Sequence, residues 1–96
     1  MTDVSDKERY EVELDGRQVG LAAYHRRGRL VVFTHTEVDK SVGGNGVGSA
    51  LVRAALDDIR AKGLRAVPLC PFIKGWIERH PDYADLVVEV PTTAPD

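Results

Sequence analysis

Cysteine is nearly absent from this chain, which has one Cys and one Trp in 96 residues. A single thiol excludes an intramolecular disulfide framework, and no His/Cys cluster has the spacing of a metal site. No stretch approaches the roughly 18 apolar residues of a membrane-spanning helix. The opening MTDVSDKERYEVEL has neither an apolar signal region nor a twin arginine. Excess charge of one sign is lacking too: thirteen Lys+Arg against fifteen Asp+Glu give a formal charge of -2. That balance removes the global electrostatic reason to expect nucleic acid or an anionic membrane as partner. The chain is also short, since a (β/α)8 barrel or a full dinucleotide-binding sheet needs roughly twice this length. These absences predict one domain over residues 8–90, with loose termini at 1–7 and 91–96, working in the reducing cytoplasm without metal. Any co-substrate should lie across the core rather than between two domains.

What is present has two periods. Tyr10, Val12 and Leu14 alternate with Glu11 and Glu13, the pattern of a half-buried strand, and Asp15-Gly16 is a tight-turn signal. A second strand is predicted over 18–25, a turn at Arg26-Arg27-Gly28-Arg29, and a third, central strand over 30–38 (LVVFTHTEV). After Val38 the period becomes helical: Val47, Ala50, Leu51, Ala54 and Ala55 form a stripe in a helix over 47–62, with Gly63 at its end. Ser49, Arg53, Asp57 and Arg60 fall on the opposite face, expected to be solvated. Residues 64–70 (LRAVPLC) read as a strand that the helical crossover lays parallel to the third. Pro71 then opens a second helix with Phe72, Ile73, Trp76, Ile77 and His80 on one face, Pro81 stops it, and 83–90 holds a final apolar run that forms a short strand or an extended segment. The fold class is α/β: a mixed sheet made of an antiparallel three-stranded meander followed by helix, parallel strand and helix.

Between the third strand and the first helix lies Gly43-Gly44-Asn45-Gly46-Val47-Gly48. Exposed N–H groups at the positive end of a helix make an anion site, and glycines let a phosphate touch the main chain. Gly48 is followed by Ser49-Ala50, so the lysine of a Walker loop is missing. Gly44, Gly46 and Gly48 also miss the spacing of the dinucleotide fingerprint. The glycines alone would equally serve a plain strand-to-helix turn.

The segment VDKSVGGNGVGSAL (38–51) resembles the acetyl-CoA-binding motif of the GNAT superfamily of N-acetyltransferases, Gln/Arg-x-x-Gly-x-Gly/Ala. HTEVD, PLCPF and RHPDY narrow the resemblance to the small, minimal-length domains of the YjdJ type, over about residues 10–88. The resemblance implies acetyl-CoA as co-substrate, with Gly44, Gly46, Val47 and Gly48 amides and the Ser49 hydroxyl on its pyrophosphate. It implies that Thr36 to Val38 pairs with the pantetheine arm like an added strand. Gly43 stands where the family has Arg or Gln, and Asn45 where the small domains have Gln, so the loop loses a side chain that would help hold it. The acceptor implied is an amine, of a protein or a polyamine, because the tight turn at Asp15-Gly16 replaces the helices with which larger relatives shape that site.

Acyl transfer from a thioester to an amine needs a base for the ammonium, oxyanion stabilisation and a proton for the leaving thiolate. His35 and Glu37 alternate with Thr36 and share one side of the strand end; either could be the base. Cys70 stands just before the second helix, where a helix N-terminus favours thiolate. By the resemblance it lies near the acetyl group, to accept it, to protonate departing CoA or only to line the pocket. Larger relatives place a Tyr acid in that helix, whereas Trp76 falls near this position and an indole N–H is no acid at neutral pH. The alternative to an enzyme is a CoA-binding regulatory module.

Overall fold

Two left-handed turns set up the sheet. Asp15 and Gly16 have φ of 54° and 78°, the two-residue turn whose twist matches a hairpin, and Gly28 turns the next one at φ 60°. The computed structural model describes residues 2–39 and 46–88. In chain order these form β1 (Thr2–Val4), a 3-10 turn (Ser5–Lys7), β2 (Arg9–Leu14), β3 (Arg17–Arg27) and β4 (Leu30–Val38). Then come α1 (Val47–Ala61), β5 (Arg65–Pro68), α2 (Pro71–Arg79) and a 3-10 helix (Pro81–Leu86). The sheet runs β1-β2-β3-β4-β5, antiparallel except for the parallel β4/β5 pair.

This is the mixed sheet expected, with corrections at its margins. Residues 2–4, expected to be loose, form an edge strand on β2. The middle of the sheet is β3 rather than the strand over 30–38. Residues 83–86 belong to the 3-10 helix that Pro81 opens, and the extended part of the final run is seen at Val87, which bridges to Ala66, with the Val88 amide donating to the Ala66 carbonyl. Residues 91–96 lie outside the described residues.

The core forms where α1 lies on the sheet. Leu51, Val52, Ala55, Leu56 and Ile59 of α1 pack with Tyr10, Ala22, Tyr24, Val31 and Phe33, all buried in one cluster that also takes in Ile73 and Trp76. Gly20 brings β3 close beneath the helix: a Cβ there would stand 3.0 Å from Val12 and 3.7 Å from Leu51. The face of α1 expected to be solvated is exposed at Ser49, Arg53, Asp57 and Arg60, and its edge also meets α2 and the 3-10 helix. Ser49 accepts the Trp76 indole N–H at 2.7 Å, Asp57 accepts the Tyr83 hydroxyl at 2.7 Å, and Arg60 pairs with Asp85 at 2.8 Å. These polar side chains stay partly wet, yet they are the seam between two layers of helix.

Candidate functional site

Pro68 ends the parallel ladder. The last β4/β5 pair is Phe33 with Pro68, after which the amides of Leu69 and Cys70 both donate to the Phe33 carbonyl, at 3.0 and 3.1 Å. β4 continues through Thr34 to Val38 with β3 on one side and, among the described residues, no strand paired on the other. An open strand edge offers main-chain donors and acceptors to an extended ligand. The two parallel strands therefore part beyond this pair, at the residue that lacks an N–H.

A β-bulge decides which side chains face this opening. The register between β3 and β4 shifts between Ala23 and Tyr24, where Ala23 pairs with His35 and Tyr24 with Phe33, leaving Thr34 as the extra residue. Val31 and Phe33 face α1, and past the bulge the even residues take over that side. Thr36 reaches the Cys70 thiol, Oγ1 to Sγ 3.3 Å, and Val38 lies beside Gly48. His35 and Glu37 consequently project from the other face, opposite Ala23 and Leu21. There the His35 Nε2–H donates to Glu37 Oε2 at 2.7 Å, with side chains 60% and 65% exposed. A groove of about 220 Å³ is lined by residues 18–21 and 37–39, Glu37 among them.

At the far end of the opening, Gly46 caps α1 with φ 71°, a left-handed conformation that glycine adopts without strain. The first turn, Val47 to Ser49, has no side-chain cap and no acidic residue, so its N–H groups are directed at the loop unpaired by a carboxylate. Ser49 accepts from Trp76 and still has its own O–H to donate. Gly43, Gly44 and Asn45, the rest of the expected phosphate loop, lie outside the described residues. Cys70 caps α2 in an extended conformation and is 5% exposed; Pro71 follows at the first helical position.

The expected site residues thus fall into three groups. Thr36 and Cys70 meet at the opening, Val38 with Gly46, Val47, Gly48 and Ser49 line its far end, and His35 with Glu37 stand on the opposite face of β4. Phe72, expected among the apolar face of α2, is instead 43% exposed, with its ring over Gly48. Trp76 is buried and stacks on His80 with ring centroids 3.8 Å apart. Arg53 lies over the Trp76 ring at 5.3 Å, and His80 is held in the stack. Among the described residues no group of three His, Cys, Asp or Glu could hold a metal, and no helix is long and apolar enough to cross a membrane.

The model of GCN5-related N-acetyltransferases matches residues 9–86. The chain belongs to that family. Among solved structures, it is similar to a GCN5-like candidate N-acetyltransferase from Staphylococcus aureus, with TM-score 0.68, 21% identity, 91% of this chain and 87% of that one covered. The ribosomal-protein-S18-alanine N-acetyltransferase of Escherichia coli matches with TM-score 0.65 and 14% identity over 75% of this chain and 50% of the enzyme. A GNAT acetyltransferase from Brucella melitensis in complex with acetyl-CoA matches with TM-score 0.61 and 24% identity, again over 75% and 50%. The chain therefore spans about half the length of the latter two. No curated protein matches it significantly. The family shares an N-acetyltransferase fold, and the parted strands with a glycine-started helix beside them are this chain's form of it.

Proposed function

We propose that this protein transfers the acetyl group of acetyl-CoA to a primary amine on a protein, a peptide or a polyamine, in the cytoplasm. The observation that carries the reading is the parted β4/β5 pair: one open strand edge leads from Thr36 and Cys70 to the uncapped first turn of α1. The residues present fit acetyl-CoA, whose pyrophosphate suits the N–H groups of Gly46, Val47 and Gly48 and the Ser49 hydroxyl, and whose pantetheine arm suits the β4 edge. Bound there, it supplies an activated thioester. Glu37, fixed by His35, takes the proton from the acceptor ammonium on the exposed face, beside the groove through which an amine can approach. The amine nitrogen forms the new bond to the acetyl carbon as the carbon–sulfur bond breaks. Cys70, on the other side of the strand, hands its proton to the departing thiolate and regains one from the nitrogen as the amide forms.

Thermal shift with CoA and acetyl-CoA tests binding, since a ligand at 100 times its Kd stabilises the folded state by about 2.7 kcal/mol. No shift would sink the reading. Mass analysis of intact protein separates roles for the thiol: an acetyl adduct that disappears in Cys70→Ala would make Cys70 the first acceptor rather than the proton donor. One observation favours the regulatory alternative: Trp76 replaces the acidic phenol of larger relatives and commits its N–H to Ser49. Binding of acetyl-CoA with no turnover on any amine would establish that alternative.

A further inference from the structure

The exposed aromatic ring of Phe72 sits where α1, α2 and β4 converge. Its Cζ stands 2.9 Å and its Cε2 3.5 Å from the point a Cβ on Gly48 would occupy, and Val38 Cγ2 is 3.3 Å from the same point. The ring thus fills space that exists only because residue 48 is glycine. It comes from the first turn of α2, two residues after Cys70, which meets Thr36 at the inner end of the opening. Gly48 belongs to the first turn of α1, at the outer end, and Val38 closes β4. A ligand that reaches from Thr36 to the first turn of α1 would meet the Phe72 ring where it lies over Gly48.

We infer that Phe72 is a gate on the cofactor cleft, a positioning residue whose ring must swing aside before the pantetheine arm can lie along β4. The inference rests on the proposed binding of CoA and adds to it the step that limits entry. Carbon atoms in contact are about 3.5 to 4.0 Å apart, so a chain threaded between two walls holds them roughly 7 to 8 Å apart. Here ring, helix backbone and strand side chain converge on one glycine, with no passage of that width between them. A ring that is 43% exposed is held by few neighbours, so rotation about its side-chain bonds can open the path while the core stays packed. Gating of this kind sets the rate of entry as well as the strength of binding.

Stopped-flow association of CoA with wild type, Phe72→Ala and Phe72→Trp tests this, with adenosine 3',5'-diphosphate as the probe that keeps the phosphate end and lacks the arm. The expected result is an association rate for CoA raised on the order of threefold to tenfold in Phe72→Ala and lowered in Phe72→Trp. Adenosine 3',5'-diphosphate should associate with all three at one rate. Unchanged CoA association with faster dissociation would make Phe72 a passive wall and overturn the gate. Equal acceleration of both probes would overturn it too, because the barrier would then not lie on the path of the arm. Failure of the wild type to bind CoA would sink the proposed function itself, a result distinct from either. Circular dichroism melting of each variant checks that the exposed position leaves the fold intact.

Discussion

Glu37 holds its carboxylate 2.7 Å from a histidine nitrogen on an exposed face of β4, and neither side chain takes part in the core. Removing the charge should therefore leave stability nearly unchanged while removing the base. Glu37→Gln is expected to lower acetyl transfer about 100-fold, the lower range of general-base effects, with unchanged thermal stability. His35→Ala should lower it less, because His35 acts through the carboxylate it orients. A steady-state assay with separate kcat and KM checks both: a loss in KM for acetyl-CoA with kcat intact would place Glu37 in binding rather than proton transfer. The alternation of His35 and Glu37 was readable in the sequence, but the face they occupy was not. Simple alternation from Val31 and Phe33 would put both side chains on the core side, and the bulge at Thr34 reverses this. A bulge inserts one residue into the ladder without a composition signal in LVVFTHTEV, so nothing in the pattern marks it. The position of Phe72 was hidden for a related reason: helical spacing assigns a face, but which part of the first turn a neighbouring glycine admits depends on the approach of another helix.

The helices show how polar residues join elements. Along α1, positions 49, 53, 57 and 60 give one row of polar side chains, and spacing alone assigns such a row to solvent. All four are exposed, as that spacing requires, and the row serves a partner surface as well: the buried indole of Trp76 and the phenol of Tyr83 bring donors that need acceptors, and Ser49 and Asp57 supply them. Arg53 adds a guanidinium over both rings, at 5.3 and 5.6 Å. Ser49→Ala leaves the Trp76 N–H without its acceptor in a side chain only 1% exposed. It should cost about 1 to 3 kcal/mol, read by urea denaturation. Ser49→Thr, which keeps an acceptor oxygen, should recover most of the loss, and equal losses in both variants would show that the hydrogen bond is not the cause. The strands and helices themselves were legible because their periods and punctuation agree: Asp15-Gly16, Gly63, Pro71 and Pro81 all stand where an element starts or stops. The final apolar run was legible only in part, because its extended stretch begins at Val87, whereas residues 83–86 close the 3-10 helix.

At the scale of the whole molecule, one set of phenols and carboxylates ties the first strand to the last turn of α1. Tyr10 of β2 donates to Asp58 at 2.8 Å, Tyr24 of β3 donates to Asp3 at 2.5 Å, and Lys62 bridges Asp3 and Asp58 at 3.1 and 2.9 Å. The N-terminal residues are thereby joined to a position 59 residues away, which is why a polar segment with no core side chain still forms a strand. Burial, and then the carboxylate accepting each hydroxyl, push the pKa of both tyrosines above its ordinary value of 10.0. Hydrogen bonds that Lys62 donates to Asp58 and Asp3 also raise its pKa. A raised pKa in the folded state means that the unfolded chain loses these protons first as pH rises. The contribution is therefore whole below about pH 10 and declines above it. Melting temperature is expected to hold steady from neutral pH to about 9.5 and then fall with increasing slope. Tyr10→Phe should melt lower at neutral pH, since a hydrogen bond to a charged acceptor contributes about 1.5 to 3 kcal/mol. Above pH 10 its curve should be flatter than that of wild type, because one of the groups that resists ionisation is gone. Parallel slopes for the two proteins above pH 10 would show that Tyr10 titrates alike in the folded and unfolded chain, and the alkaline loss would then have to be assigned to Tyr24 and Lys62.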